Sequence, residues 1–211
     1  MIHHPIEFTN KLLDTIKKAQ SEHISEERIN VLNPLISYLL ENLESKNTVN
    51  LNFICTHNSR RSQFSQIWAF TASKYFEIPV NCYSGGVEVT EFNPRAVESL
   101  VRSGFKVKKQ GDDNPEYRIS IDIDELCSIT TYSKLFNDPS NATNNFVAVM
   151  TCSHADENCP IIPGADLRIP IRYEDPKSYD NTPEEESMYD ARSLQIASEM
   201  FYIFSKVKKL K

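Results

Sequence analysis

Cys55-Thr56-His57-Asn58-Ser59-Arg60-Arg61-Ser62 is the stretch around which the chain is organised. Val49-Asn50-Leu51-Asn52-Phe53-Ile54 precedes it, alternating and then running apolar as a strand entering a core does. After it, Phe64, Ile67, Trp68, Thr71, Ala72 and Tyr75 recur at helical spacing. The eight residues are therefore a strand-to-helix turn, where free backbone N–H groups and a positive helix end face outward. A cysteine opens the turn and an arginine stands six positions later. Cys-x5-Arg is the spacing of a loop that wraps a tetrahedral oxyanion. Loop amides and the Arg61 fork bind its oxygens, and the Cys55 sulfur sits beneath its central atom. Such positive surroundings favour a thiolate, which makes the sulfur a nucleophile near neutral pH.

The chain of 211 residues has room for one domain with a full core and an appendage. Apolar residues make up 40% and charged residues 25%, the balance of an ordinary soluble globular protein. A formal charge of −6 argues against a nucleic acid or an anionic membrane as partner, since either leaves a basic footprint. Any anion site must then be local. No apolar run approaches membrane-spanning length, and His3, His4 and Glu7 precede any apolar run, unlike a signal peptide. Five cysteines without an export signal read as thiols of a reducing cytoplasm.

Residues 1–47 read as an N-terminal helical extension. Phe8, Leu12, Leu13 and Ile16 form one apolar stripe, and Asn33-Pro34 is expected to restart a helix as N-cap and first position, with Ile36, Leu39, Leu40 and Leu43 on one face. The catalytic domain is then 48–211. Val80 to Tyr83 is its second strand, and Asn93-Pro94 caps a helix carrying Val97, Leu100 and Val101 that Gly104 stops. Residues 107–143 read as an insertion or lid, with Ile119, Ile121 and Ile123 alternating as a half-exposed strand and Cys127 an inert thiol. Phe146 to Met150 is a strand covered on both faces. Another strand spans Leu167 to Tyr173, and Thr182 with Glu185 is expected to form a capping box for the last helix, through Leu194, Ala197, Phe201 and Phe204.

In open α/β sheets, reactive residues gather at the carboxyl ends of strands. Cys55, Cys152 and Asp175 each follow a different strand in this reading, and Asp175-Pro176 offers a carboxylic acid on a fixed backbone. Arg60 is expected to point to solvent, with a basic rim for the anion as the alternative. Cys152 and Cys159 bracket Thr151-Cys152-Ser153-His154-Ala155-Asp156-Glu157-Asn158-Cys159-Pro160. They read as a redox relay, as two inert thiols, or as half of a metal site. No metal is assigned, because a fourth ligand at the usual spacing is missing.

The anion loop, the Ser84-Gly85 turn, the Asn93-Pro94 helix, the Cys152/Cys159 segment and Asp175-Pro176 together resemble the low-molecular-weight tyrosine phosphatase superfamily, and within it the thioredoxin-coupled arsenate reductases. The resemblance covers roughly residues 48–210 apart from the insertion. It implies an α/β three-layer sandwich with a four-stranded parallel sheet. It also implies Cys55 as nucleophile, Asp175 as general acid, and Cys152 and Cys159 as the pair that carries electrons from a thioredoxin-like reductant. Arg61, with Thr56, His57, Asn58, Ser59, Arg60 and Ser62, would bind an arsenate or phosphate-type oxyanion, Ser62 also bonding the thiolate and Asn58 bracing the loop. No organic cofactor is implied, since electrons arrive by thiol exchange.

Departures from the family pattern bear on the chemistry. His57 stands where relatives usually carry glycine; it adds positive charge, or strains the loop if that position needs a left-handed backbone. Gln66 replaces a carboxylate often linked to a monovalent-cation site. Lys177 follows Asp-Pro where phosphatases place an aromatic, which tilts the substrate towards a small oxyanion. The rival activity is a phosphatase acting on phosphoproteins or small phosphate esters, with the cysteine pair guarding Cys55. A rival of another class is a non-catalytic redox sensor or oxyanion-binding module.

Overall fold

The computed structural model describes residues 6–45, 48–158 and 161–211, so the His3-His4 start and Cys159-Pro160 lie outside the described residues. Strand alternation divides the core. From β1 (Val49–Cys55), Val49, Leu51 and Phe53 enter a large buried cluster, while Ile54 and Cys55 enter a small one. From β6 (Phe146–Met150), Val147 and Val149 join the first, and Phe146, Ala148 and Met150 the second. A strand packed on both faces carries no polar side, which is why 146–150 is apolar throughout. β1 pairs in parallel with β2 (Val80–Gly86) and β6, and β6 with β7 (Ala165–Pro170). The sheet order is β2-β1-β6-β7, as the four-stranded parallel expectation requires.

The large cluster is filled by α3 (Arg61–Tyr75) and α6 (Glu185–Leu210). Trp68 is its largest fully buried side chain; its indole N–H donates to Ser193 Oγ at 2.9 Å and its ring meets Phe105 edge-on. Asn93 caps α4 (Pro94–Arg102) by accepting from the Arg95 N–H. Gly104 ends this turn at φ +102°, and a Cβ there would lie 2.4 Å from Leu12 N. Only glycine lets α1 (Asn10–Ser21) approach so closely. Of the apolar residues that α4 carries, Val97 and Leu100 are buried and Val101 is 48% exposed.

The extension is helical, with two corrections. Phe8 precedes α1, whose cap is Thr9, and instead bridges Asp122 in antiparallel fashion. α2 runs unbroken from Glu26 to Ser45 with Pro34 inside it, rather than restarting at Asn33-Pro34. Leu32, Leu35, Ile36, Leu39 and Leu43 are buried on both sides of the proline, so packing outweighs one missing backbone bond, and Asn33 and Pro34 are exposed. Ser25 is the residue that caps α2, accepting from the Arg28 N–H at 3.2 Å.

Residues 107–143 are no detached lid. With Lys106, they build a three-stranded antiparallel sheet of β3 (Lys106–Gln110), β4 (Glu116–Ser120) and β5 (Ser128–Thr131). Ile119 and Ile121 are fully buried in the large cluster, whereas Ile123 is exposed. The chain then runs along the edge of β2: Gly86 N–H donates to Lys134 O at 2.8 Å and Phe136 N–H to Gly86 O at 2.9 Å. Gly85 permits this, since a Cβ there would sit 2.2 Å from Phe136 Cα. A free strand edge is thereby paired.

Two further expectations shift. β7 spans Ala165–Pro170 rather than 167–173, and Pro170 is tolerated because β7 is an edge strand. Its ladder nonetheless continues, with Ile171 N–H donating to Met150 O and Tyr173 N–H to Thr151 O. No capping box forms at Thr182. The Glu185 carboxylate accepts from Asn181 N–H and pairs with Arg95 at 2.7 Å, while the Thr182 hydroxyl donates to Tyr179 O. Among the described residues no helix is long and apolar enough to cross a membrane.

The extension is tied to the rest by a charge pair. Arg28 on α2 donates through Nε and Nη2 to both oxygens of Glu199 on α6, each at 2.8 Å, and its guanidinium lies over the Tyr173 ring. Glu199 is buried and also accepts from the Tyr173 hydroxyl at 2.8 Å. Removing the arginine strands a carboxylate away from water. Arg28→Ala is expected to lower the unfolding free energy by about 3 kcal/mol, the low end for a broken buried pair because Arg28 keeps some exposure. Urea unfolding measures it; a loss below about 1 kcal/mol would mean that solvent already serves Glu199.

Candidate active site

Residues 56–60 connect β1 to α3, and the side chain of Asn58 organises them. Its Nδ2 group donates to Ser62 Oγ and to Ser84 Oγ, each at 2.9 Å, and its Oδ1 accepts from Lys134 N–H at 3.0 Å. Both amide hydrogens are then used, so each serine hydroxyl keeps its own hydrogen to donate. Ser84 gives its hydrogen to Gln66 Oε1 at 2.6 Å, and the Gln66 amide nitrogen donates to Cys82 O. Ser62 gives its hydrogen to Cys55 Sγ at 3.1 Å, the bond a thiolate accepts. Gln66, in place of a carboxylate, closes this network with direct bonds.

The left-handed residue of the loop is Asn58, at φ 47°, not His57. Asparagine tolerates that conformation, so histidine at position 57 brings no strain of this kind. The His57 ring is 42% exposed and faces Glu88, with Nε2 at 3.3 Å from the carboxylate. Its carbonyl accepts from the Ser133 hydroxyl at 2.8 Å. Ser59 O accepts from Asn93 N–H, which fixes the loop against the start of α4.

Cys55, His57, Ser59, Arg60, Arg61 and Asp175 line one small pocket. Arg61 reaches across it, donating through Nη1 to Tyr173 O at 3.1 Å and through Nη2 to Asp175 Oδ2 at 2.7 Å. Its Nε–H is buried with no hydrogen-bond partner among the described residues, a donor that an oxyanion can take. Arg60 does not point to solvent. It is buried, donates from Nε to the Tyr189 hydroxyl at 2.8 Å, and stands 3.6 Å from Asp180 and 3.9 Å from Asp175. Tyr189 donates in turn to Asp180, and its phenol is pushed up to about 12 by burial and the Asp180 hydrogen bond, against the pull of Arg60. Asp175 therefore lies between two guanidiniums. An oxyanion that claims Arg61 leaves it the second.

Cys152 lies beside this pocket without lining it. Ile54 pairs with Met150 in the sheet, so Cys55 and Cys152 emerge from the same ends of neighbouring strands. Both belong to the small cluster with Met150, Ala155 and Ile162. Thr56 stands next to Cys152, its Oγ1 3.4 Å from Cys152 Sγ and 3.3 Å from His154 Nδ1. Ala155 N–H, in the short helix α5 (Ser153–Asn158), donates to Cys152 Sγ at 3.3 Å. Cys82 and Cys127 lie elsewhere, and burial pushes both thiols up, which keeps them protonated and poorly reactive.

Several residues at this site carry no local sequence signal. Tyr189 and Asp180 reach Arg60 from positions more than a hundred residues away, and Tyr173 acts through its carbonyl. Gln63 donates to both Asn58 O and Tyr132 O, pinning the loop to the segment after β5. The contact of His154 with Thr56 depends on the strands lying side by side.

A Cys-x5-Arg loop follows the first strand of the parallel β2-β1-β6-β7 sheet and faces Asp175-Pro176, the arrangement that the resemblance to the low-molecular-weight phosphatases implies. A second thiol, Cys152, stands against Thr56 of this loop, and sequence comparison narrows the assignment. An arsenate reductase of Bacillus cereus is 31% identical over 135 residues, 64% of this chain and 80% of that protein. One of Brevibacillus brevis is 31% identical over 134 residues, with the same coverage. The chain belongs to the arsenate reductase family. No protein-family model matches it. A solved arsenate reductase in a phosphate-binding state is 17% identical, with a TM-score of 0.49, over 75% of this chain and 98% of that one.

Asn58→Ala removes three hydrogen bonds and places alanine at a left-handed backbone. A stability loss of about 2–4 kcal/mol is expected, together with slower alkylation of Cys55 by iodoacetamide. Ser62→Ala is expected to slow the alkylation while leaving stability within about 1 kcal/mol of wild type. Equal alkylation rates in all three proteins would remove the hydroxyl from any role at the sulfur.

Proposed function

We propose that the protein reduces arsenate to arsenite by a three-thiol relay. Arsenate enters the 56–61 loop, where backbone N–H groups and Arg61 take its oxygens and Arg60 holds Asp175 nearby. The Cys55 thiolate attacks arsenic, and an oxygen leaves as water after Asp175 supplies a proton. The Cys152 thiolate then attacks Cys55 Sγ. An S–S bond forms, the S–As pair stays with arsenic, and arsenic(V) leaves as arsenite. Cys159 displaces Cys55 from Cys152, freeing the nucleophile and leaving a Cys152–Cys159 disulfide. A thioredoxin-like dithiol reduces that bond and is itself oxidised. Standing thiols of this kind call for a reducing compartment, the cytoplasm.

The observation that carries this reading is Cys152 Sγ against Thr56 Oγ1 at 3.4 Å, one residue from the nucleophile. A phosphatase needs Cys55, Arg61 and Asp175 for hydrolysis, and a second sulfur there would serve it only to guard Cys55. The buried partners of Arg60 and the hydrogen-bonded frame of the loop suit a small oxyanion equally.

Cys159→Ser is expected to release one arsenite per chain and then stop, even with a thioredoxin system present, while Cys152→Ser releases none. Hydrolysis of an aryl phosphate, where detectable, survives both changes. Sustained turnover of arsenate by Cys159→Ser would overturn the relay. Rapid ester hydrolysis without arsenite from the wild type would favour the phosphatase.

A further inference from the structure

Cys152 is 1% exposed, and apart from the Ala155 N–H its surroundings include Ile54, Met150, Ala155 and Ile162. Such a setting leaves the thiol proton of Cys152 no direct contact with bulk solvent. Yet in the proposed relay this sulfur must become a thiolate while Cys55 is tied to arsenic. The outlet the structure offers is the Thr56 hydroxyl. It touches Cys152 Sγ at 3.4 Å and His154 Nδ1 at 3.3 Å, while His154 itself lies exposed on α5. Thr56 is held in place, because its carbonyl accepts from Val87 N–H at 2.7 Å and from Glu88 N–H at 2.9 Å.

The geometry points to His154 as the proton acceptor for Cys152, reached through the Thr56 hydroxyl. Neutral His154, protonated on Nε2, presents the Nδ1 lone pair to Thr56. Thr56 passes its hydroxyl hydrogen to Nδ1 and takes the thiol hydrogen of Cys152. Thr56 ends unchanged, Cys152 is a thiolate and His154 an imidazolium. The same three atoms then hold the product state with the donors reversed, imidazolium to hydroxyl and hydroxyl to sulfur. When the thiolate attacks Cys55 Sγ and arsenite leaves, the imidazolium gives its proton to solvent. His154 touches no reacting atom, so it assists through Thr56, whereas Thr56 contacts the attacking sulfur directly.

The relay rests on the reductase reading, but the attack by Cys152 can also be driven without arsenic. Hydrogen peroxide converts the Cys55 thiolate to a sulfenic acid, which Cys152 displaces as water to form the same disulfide. The test uses full-length Cys159→Ser protein, so that reaction stops at the Cys55–Cys152 bond. Its rate is followed after arsenate, by arsenite release, and after peroxide, by loss of free thiols. His154→Ala is expected to slow both about a hundred-fold, and millimolar imidazole to restore the rate in proportion to its concentration. Thr56→Val should show a similar loss that imidazole does not repair, and Thr56→Ser should recover most of it. Unfolding curves of the variants separate these effects from misfolding, because imidazole rescues no misfolded chain. His154→Ala closing the disulfide as fast as its parent in either reaction, or a slow variant indifferent to imidazole, would overturn the relay. If arsenate yields no arsenite from the parent while peroxide closure depends on His154 and is rescued, the relay stands and the arsenate reading falls.

Discussion

The amide of Asn58 is the contact on which the site depends. A loop meant to hold an oxyanion must aim its N–H groups outward, which leaves it without its own backbone bonding inside. Asn58 supplies that bonding from within, two donations to Ser62 and Ser84 and one acceptance from Lys134. The arrangement also sets direction. With both amide hydrogens committed, the Ser62 hydroxyl turns its hydrogen to Cys55, and the Ser84 hydroxyl turns its own to Gln66. One side chain thus fixes the backbone of the loop and the polarity of the bond at the nucleophile.

The N-terminal extension and the 107–143 insertion lean on the same place. The segment after β5 runs beside β2 and reaches the loop through Ser133, Lys134 and the carbonyl of Tyr132. From the other side, Arg28 on α2 holds Glu199, Glu199 holds the Tyr173 hydroxyl, and the Tyr173 carbonyl receives Arg61. Both are chains of short, largely buried polar bonds, which transmit position well because each member has few alternative partners. Arg60 adds a third support, since it anchors the Asp175–Asp180 turn to Tyr189 on α6.

Much of this was legible in order along the chain. Strands β1 and β6 announce themselves because burial on both faces, or on alternate faces, leaves a period in the residues. The loop is legible because Cys-x5-Arg between a strand and an amphipathic helix has few other uses. Pro34 misled because a helix-breaking signal is local, while the apolar face that overrides it, Leu32 to Leu43, spans about three turns of α2. Arg60 misled for a similar reason: one charged residue beside another reads as surface until a tyrosine and two aspartates from distant segments surround it. The β3-β4-β5 sheet was obscured by lysines and other polar residues on strands exposed along much of their length.

By itself the amino-acid order determined the parallel sheet and the strand-to-helix turn and singled out Cys55, Arg61 and Asp175 as candidates, because each is written in spacing over fewer than about twenty residues. Only the tertiary structure decided what surrounds them: that Asp175 stands between two arginines, that the insertion pairs with the edge of β2, and that Thr56 sits between Cys152 and His154. Those are contacts between residues roughly fifty to more than a hundred positions apart. Strand pairing sets them, and no local pattern encodes which strands become neighbours.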